Sequence, residues 1–118
     1  MSEKTLHLDY KGLDELCRDD LNFKNQMKGL VCMELSNSLK FFEDDSIWNH
    51  TDELKMILHK MNYSISLVTT REFQDNFNFL YQQVLNDNLS IDQSNQLKIS
   101  LKEIKLLLRE LNCTFESR

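Results

Sequence analysis

Leu54-Lys55-Met56-Ile57-Leu58-His59-Lys60-Met61-Asn62-Tyr63-Ser64-Ile65-Ser66-Leu67-Val68 is the stretch whose periodicity decides the fold of this chain. At about 100° per residue, Leu54, Ile57, Leu58, Met61, Ile65 and Val68 fall on one side of a helix. His59 falls opposite them, beside Lys55, Asn62, Tyr63 and Ser66. The segment is therefore an amphipathic helix that buries one face and turns an imidazole to solvent on the other.

Helical signals continue in both directions. Upstream, a long helix from about Leu21 to Glu43 carries Phe23, Met27, Leu30, Val31, Leu35, Leu39 and Phe42 at three- and four-residue steps, the spacing of a buried stripe. Asp44 to Asn49 reads as a turn anchored by Trp48, and Asn49 with Asp52 and Glu53 suits the positive N-terminal end of the His59 helix. Before Leu21, Asp9 is placed to cap a short helix carrying Leu13, Leu16 and Cys17, which ends at Arg18-Asp19-Asp20. Downstream, Thr69 and Glu72 have the spacing of a capping box, so the His59 helix should stop near Val68 and a fourth helix begin at once. Phe73, Phe77, Leu80 and Val84 form its apolar stripe, and Asn86-Asp87-Asn88 is a turn. Ser90 and Gln93 make a second box ahead of a last helix with Leu97, Leu101, Ile104, Leu108 and Leu111 in near-heptad spacing.

The chain has no proline and only two glycines, Gly12 and Gly29, so it lacks the residues that punctuate all-β folds. The expectation is an all-α protein. Its four long helices with short turns imply an antiparallel up-and-down four-helix bundle with a short N-terminal lid helix, as one domain over residues 1–118.

A length of 118 residues with 41% hydrophobic content suffices for one modest core. The net charge of −5 argues against nucleic acid as a partner, because a phosphate backbone would be repelled. Cys17, Cys32 and Cys113 stand far apart without a C-x-x-C pair and read as buried or inert thiols of a reduced compartment. Met1-Ser2-Glu3-Lys4-Thr5-Leu6 carries no apolar leader, and no apolar run is long enough to span a bilayer, so no membrane association and a cytoplasmic location are expected. Nothing brings His7, His50 and His59 together, so no metal site is expected. Met27, Met33, Met56 and Met61, with Phe41 and Phe42, read as core or boundary packing.

A histidine that carries a phosphoryl group needs an accessible ring nitrogen and nearby cations that steady the phosphate charge. Lys55 lies one turn before His59, and Lys60 flanks it. Residues 54–68 resemble the phosphoacceptor helix of histidine phosphotransfer (HPt) domains, with Leu58, His59, Met61 and Ser64 in register with that family's pattern. The likeness extends from about Leu8 to Leu111 in the order and length of the helices. Asn62 stands where the family usually has lysine, and Tyr63 where it has a small or turn-tolerant residue.

The resemblance implies a phosphorelay in which His59 is the phosphoacceptor and takes a phosphoryl group from the aspartate of a receiver domain. It implies that Lys55, Lys60, Asn62 and Ser66 support the phosphoryl group, and that Met56, Tyr63 and Gln82 dock the partner. Gln82 or Gln83, on the next helix, would contact the histidine. The partners implied are receiver domains of response regulators or hybrid sensor kinases, which bring their own Mg²⁺; this chain needs no cofactor, is expected to be a monomer, and is a phosphocarrier more than an enzyme. It has no Gly-rich nucleotide loop, so no kinase activity is expected. The alternative is a non-catalytic HPt-like adaptor that binds a receiver or a partner helix without carrying phosphate, and a weaker one is homodimerisation through the last helix.

Overall fold

The computed structural model describes residues 7–111. Among them the chain is all-helical: α1 (Lys11–Cys17), α2 (Leu21–Lys40), α3 (Thr51–Val68), α4 (Arg71–Leu85) and α5 (Ile91–Glu110), with two 3-10 turns, Phe41–Glu43 and Asp45–Asn49, between α2 and α3. In the packing, α2 touches α3 and α5, α4 touches α3 and α5, and α1 rests on α2 and α3. The backbones of α3 and α5 do not approach each other closely, so the two helices lie across the core from each other.

The core follows the sequence stripes in α3 and α4. Leu54, Ile57, Leu58, Met61, Ile65 and Val68 are all buried, as are Phe73, Phe77, Leu80 and Val84. The α2 stripe is narrower than expected. Val31, Leu35 and Leu39 are buried, but Phe23 and Leu30 are exposed, because only one side of α2 meets α3 and α5 and those two residues lie off it. Met33, Met56 and Phe41, expected in core or boundary positions, are exposed. In α5 it is Leu107 that is fully buried, while Leu108 packs at the edge of the core.

Caps set the helix ends, and three of them shift by one residue from the sequence expectation. Ser90 and Gln93 form both bonds of a capping box ahead of α5. For α4 the cap is Thr70, whose hydroxyl accepts from Phe73 N; Thr69 instead ends α3, its hydroxyl donating to the Ile65 carbonyl at 2.6 Å. His50, not Asn49, precedes α3, because Asn49 is used by the second 3-10 turn. Tyr10 is the N-cap of α1, with the Asp9 carboxylate accepting from Lys11 N at 2.8 Å. Helix α2 stops at Lys40, short of Glu43, where the backbone tightens into 3-10 geometry. Asp44 accepts from Ser46 N at 2.9 Å, a bond that holds its carboxyl below the usual carboxylate range. Trp48 is half-buried against the core with its ring 5.5 Å from Phe42, which fastens this turn to the bundle of helices.

The turn between α3 and α4 is tied to the N-terminal segment. Asp9 N donates to the Val68 carbonyl and Thr70 N to the His7 carbonyl, each at 2.8 Å, around an isolated antiparallel bridge of Leu8 with Thr69. His7 is fixed in turn to α5 by a 3.1 Å contact of Nε2 with Glu103 Oε2. Cys17 is a buried free thiol. Cys32 is buried but disulfide-bonded, which corrects its reading as an inert thiol and removes the reduced-thiol argument for a cytoplasmic location. Sequence separation alone does not limit which cysteines a fold brings together. Cys113 lies outside the described residues. No helix among the described residues is long and apolar enough to cross a membrane.

Candidate functional site

His59 sits midway along the eighteen-residue α3 with its ring exposed. Its position follows from the periodicity: Leu58 and Met61 are fully buried, and at about 100° per residue His59 falls on the side away from both. A shallow depression of about 300 Å³ surrounds the ring, lined by Lys55, Met56, His59, Lys60 and Tyr81. Four of those five are on α3, as the adjacent pairs Lys55-Met56 and His59-Lys60 one turn apart, and Tyr81 reaches in from α4.

Tyr81 was not among the sequence candidates. Its hydroxyl lies 3.1 Å from His59 Nδ1, and the two rings are 6.1 Å apart between centroids and tilted by 42°. The phenol is only 8% exposed, so its hydroxyl needs a polar partner and finds one in the imidazole. The bond can be made with Nδ1–H donating to the phenol oxygen, which leaves the lone pair on Nε2. In that tautomer Nε2 carries a free lone pair on an exposed ring. The side chain from the following helix that meets the histidine is thus one residue before the expected Gln82, which is exposed; Gln83 is half-buried. The signal was present in Phe77, Leu80, Tyr81 and Val84, whose spacing puts Tyr81 at the margin of an apolar stripe, where an aromatic body is buried and its polar tip must emerge.

The expected supporting residues divide into two groups. Lys55 and Lys60 border the same depression as His59. Lys55 is half-buried and its ammonium lies 3.6 Å from Asp87 in the α4–α5 turn, while Lys60 is exposed and in no ion pair among the described residues. Asn62 and Ser66 are not part of the depression. Asn62 donates from its amide to Asn78 Oδ1 at 3.2 Å, a further cross-link of α3 to α4. The Ser66 hydroxyl donates to the Tyr63 carbonyl at 2.5 Å and its own carbonyl accepts from Gln74, so its polar atoms are engaged near the end of α3.

Of the expected docking residues, Met56 and Tyr63 are 62% and 60% exposed on either side of His59. Met56 and Lys60 also line a second hollow of about 340 Å³ between α2 and α3, which Glu34, Phe41 and Glu53 share. With exposed Met33 and Phe41 on the α2 side, an apolar margin adjoins the histidine depression. Among the described residues no group of three or more histidine, cysteine or acidic side chains is arranged to hold a metal ion. No protein-family profile, no curated protein and no solved structure matches this chain.

Proposed function

We propose that this chain is a histidine-containing phosphotransfer protein that relays a phosphoryl group between receiver-domain aspartates through His59. In this reading the helices form an antiparallel up-and-down four-helix bundle with α1 as its lid, and the whole is one cytoplasmic, monomeric domain. The observation that carries it is the constitution of the depression: an exposed imidazole at mid-helix, its Nδ1 held by Tyr81, with Lys55 and Lys60 beside it.

In the transfer step, the Nε2 lone pair attacks the phosphorus of an acyl phosphate on the partner's aspartate. The N–P bond forms as the P–O bond to the carboxylate breaks, and that electron pair leaves with the carboxylate. The proton stays on Nδ1, where the Tyr81 oxygen accepts its hydrogen bond as the ring becomes cationic. Lys55 and Lys60 offset the phosphoryl charge, each by an amount on the order of 1 kcal/mol or less at this exposed surface. The Mg²⁺ that assists phosphoaspartate chemistry belongs to the receiver. Met56 and Tyr63 supply apolar and aromatic contact area for that partner, with Gln82 at its edge. Asn62 and Ser66 act at one remove, through the α3–α4 cross-links they make.

The test is label transfer from a ³²P-phosphorylated receiver domain. Wild type should acquire acid-labile, base-stable phosphate, and His59→Gln should acquire none; equal labelling of the two would refute the assignment. The adaptor reading is favoured by one observation, that Asn62 in the usual lysine position spends its amide on Asn78. Receiver binding without label on wild type would establish the adaptor instead.

A further inference from the structure

On the side of the molecule away from α3, the charges of α5 are sorted. At about 100° per residue, Lys98, Lys102, Lys105 and Arg109 fall within an arc of about 60°, whereas Asp92, Glu103 and Glu110 fall some 80–160° away. The cations run along about 16 Å of helix. They border two hollows between α2 and α5. The first, of about 300 Å³, is lined by Leu39, Lys40, Lys105, Leu108 and Arg109 among others. The second, of about 250 Å³, is lined by Leu39, Trp48, Lys98, Leu101, Lys102 and Lys105 among others. Leu39, Glu43 and Lys105 belong to both, so the hollows form one groove.

Five of the chain's 14 Lys and Arg side chains line this groove, against two of its 19 acids, Glu43 and Asp45, both in the region of the 3-10 turns. None of the five cations takes part in an ion pair among the described residues, and Lys98 instead lies over the Trp48 ring at 5.2 Å. The floor is apolar: Leu39 and Leu101 are buried, and Phe42, Trp48 and Leu108 pack partly buried against the core. On a protein of net charge −5, this cation row is a local field of opposite sign to the whole.

We propose that the α2–α5 groove docks an acidic amphipathic segment of a partner protein, its carboxylates meeting Lys98, Lys102, Lys105 and Arg109 and its apolar side chains entering over Leu39 and Leu108. A single 16 Å row beside a strip of acids suits one helix or extended segment better than a duplex or a bilayer. Either of those would bring phosphates against Glu103 and Glu110 as well. The surface is independent of the His59 reading, and none of the groove's lining residues borders the His59 depression.

Fluorescence anisotropy with a labelled peptide in which Glu residues flank a Leu and Phe stripe tests this. Lys102→Glu/Lys105→Glu should weaken binding about tenfold, and a peptide with the Leu and Phe residues changed to Ser should bind about tenfold more weakly to wild type. The exposed control pair Lys11→Glu/Arg71→Glu, with the same change in net charge, should move the affinity less than about twofold. Circular dichroism of each variant confirms that the comparison is between folded proteins. Equal binding by Lys102→Glu/Lys105→Glu, equal binding of the Ser peptide, or tighter binding to phosphatidylserine vesicles or duplex DNA than to the Glu peptide would each overturn the proposal.

Discussion

His59 Nδ1 and Tyr81 Oη lie 3.1 Å apart across the seam between α3 and α4. The bond couples a surface ring to a phenol that is part of the core, so the imidazole is oriented by packing rather than by solvent. Tyr81→Phe keeps the packing and removes the acceptor. The expected result is a shift of the His59 ring ¹⁵N resonances toward a mixture of tautomers, together with a threefold to tenfold slower phosphorylation of His59 by phosphoramidate, about 1 kcal/mol of barrier. Loss of the hydrogen bond should lower stability by about 0.5–1.5 kcal/mol. Unchanged ¹⁵N resonances would show that Tyr81 does not set the tautomer.

Lys55 is held by Asp87 at 3.6 Å, so an ammonium that borders the His59 depression is shared with a carboxylate. Asp87 occupies a left-handed conformation with φ of 56°, which asparagine also tolerates. Asp87→Asn should therefore fold normally, with stability changed by less than about 1 kcal/mol, and release Lys55. The phosphorylated fraction of His59 at equilibrium with a phosphoreceiver should rise about twofold to fivefold, and Lys55→Ala should lower it by a similar factor. No change in either variant would mean that Lys55 takes no part in holding the phosphoryl group.

The helices were legible wherever burial and periodicity agreed. In α3 every residue of the expected stripe is buried, because that helix is packed by α1, α2 and α4 together. In α2 the stripe misled at Phe23 and Leu30, since periodicity states which residues could share a face but not how far the neighbouring helices extend along it. Thr69 and Thr70 are both good caps, and the choice between them was made by the Ile65 carbonyl, a tertiary detail of how α3 ends. At the site, His59, Lys55, Lys60 and Met56 were found because they lie on one helix, where spacing determines neighbourhood. Tyr81 reaches the same place from α4, and Asp87 reaches Lys55 from the α4–α5 turn, and no one-helix periodicity reports either.

Ser90 holds the start of α5 through a reciprocal pair: its hydroxyl accepts from Gln93 N at 3.1 Å while Gln93 Oε1 accepts from Ser90 N at 3.0 Å. Ser90→Ala should cost about 1 kcal/mol, read as a lower urea midpoint with an unchanged slope. Since Ser90 is remote from His59 on the chain and absent from its depression, phosphate acceptance should not change. A loss of acceptance in this variant would reveal a coupling between the α5 start and the histidine that the packing does not contain.

Gly12 and Gly29 answer differently to the same substitution. A Cβ at Gly12 would lie 2.5 Å from the Ser66 carbonyl oxygen and 3.1 Å from Leu67 Cα, both backbone atoms of α3 that cannot swing aside. Gly12→Ala must therefore lift α1 off α3, at a cost of about 1–3 kcal/mol. A Cβ at Gly29 meets nothing within 4 Å, and the residue is inside α2, where glycine wastes backbone entropy. Gly29→Ala should stabilise by about 0.5–1 kcal/mol. Urea unfolding of the two variants should move the midpoint in opposite directions from wild type. If Gly12→Ala were neutral, α1 would not be seated on α3 through that glycine, and the short first helix would have to be held by other contacts, such as buried Leu13 and Cys17 and the Asp14–Lys24 ion pair.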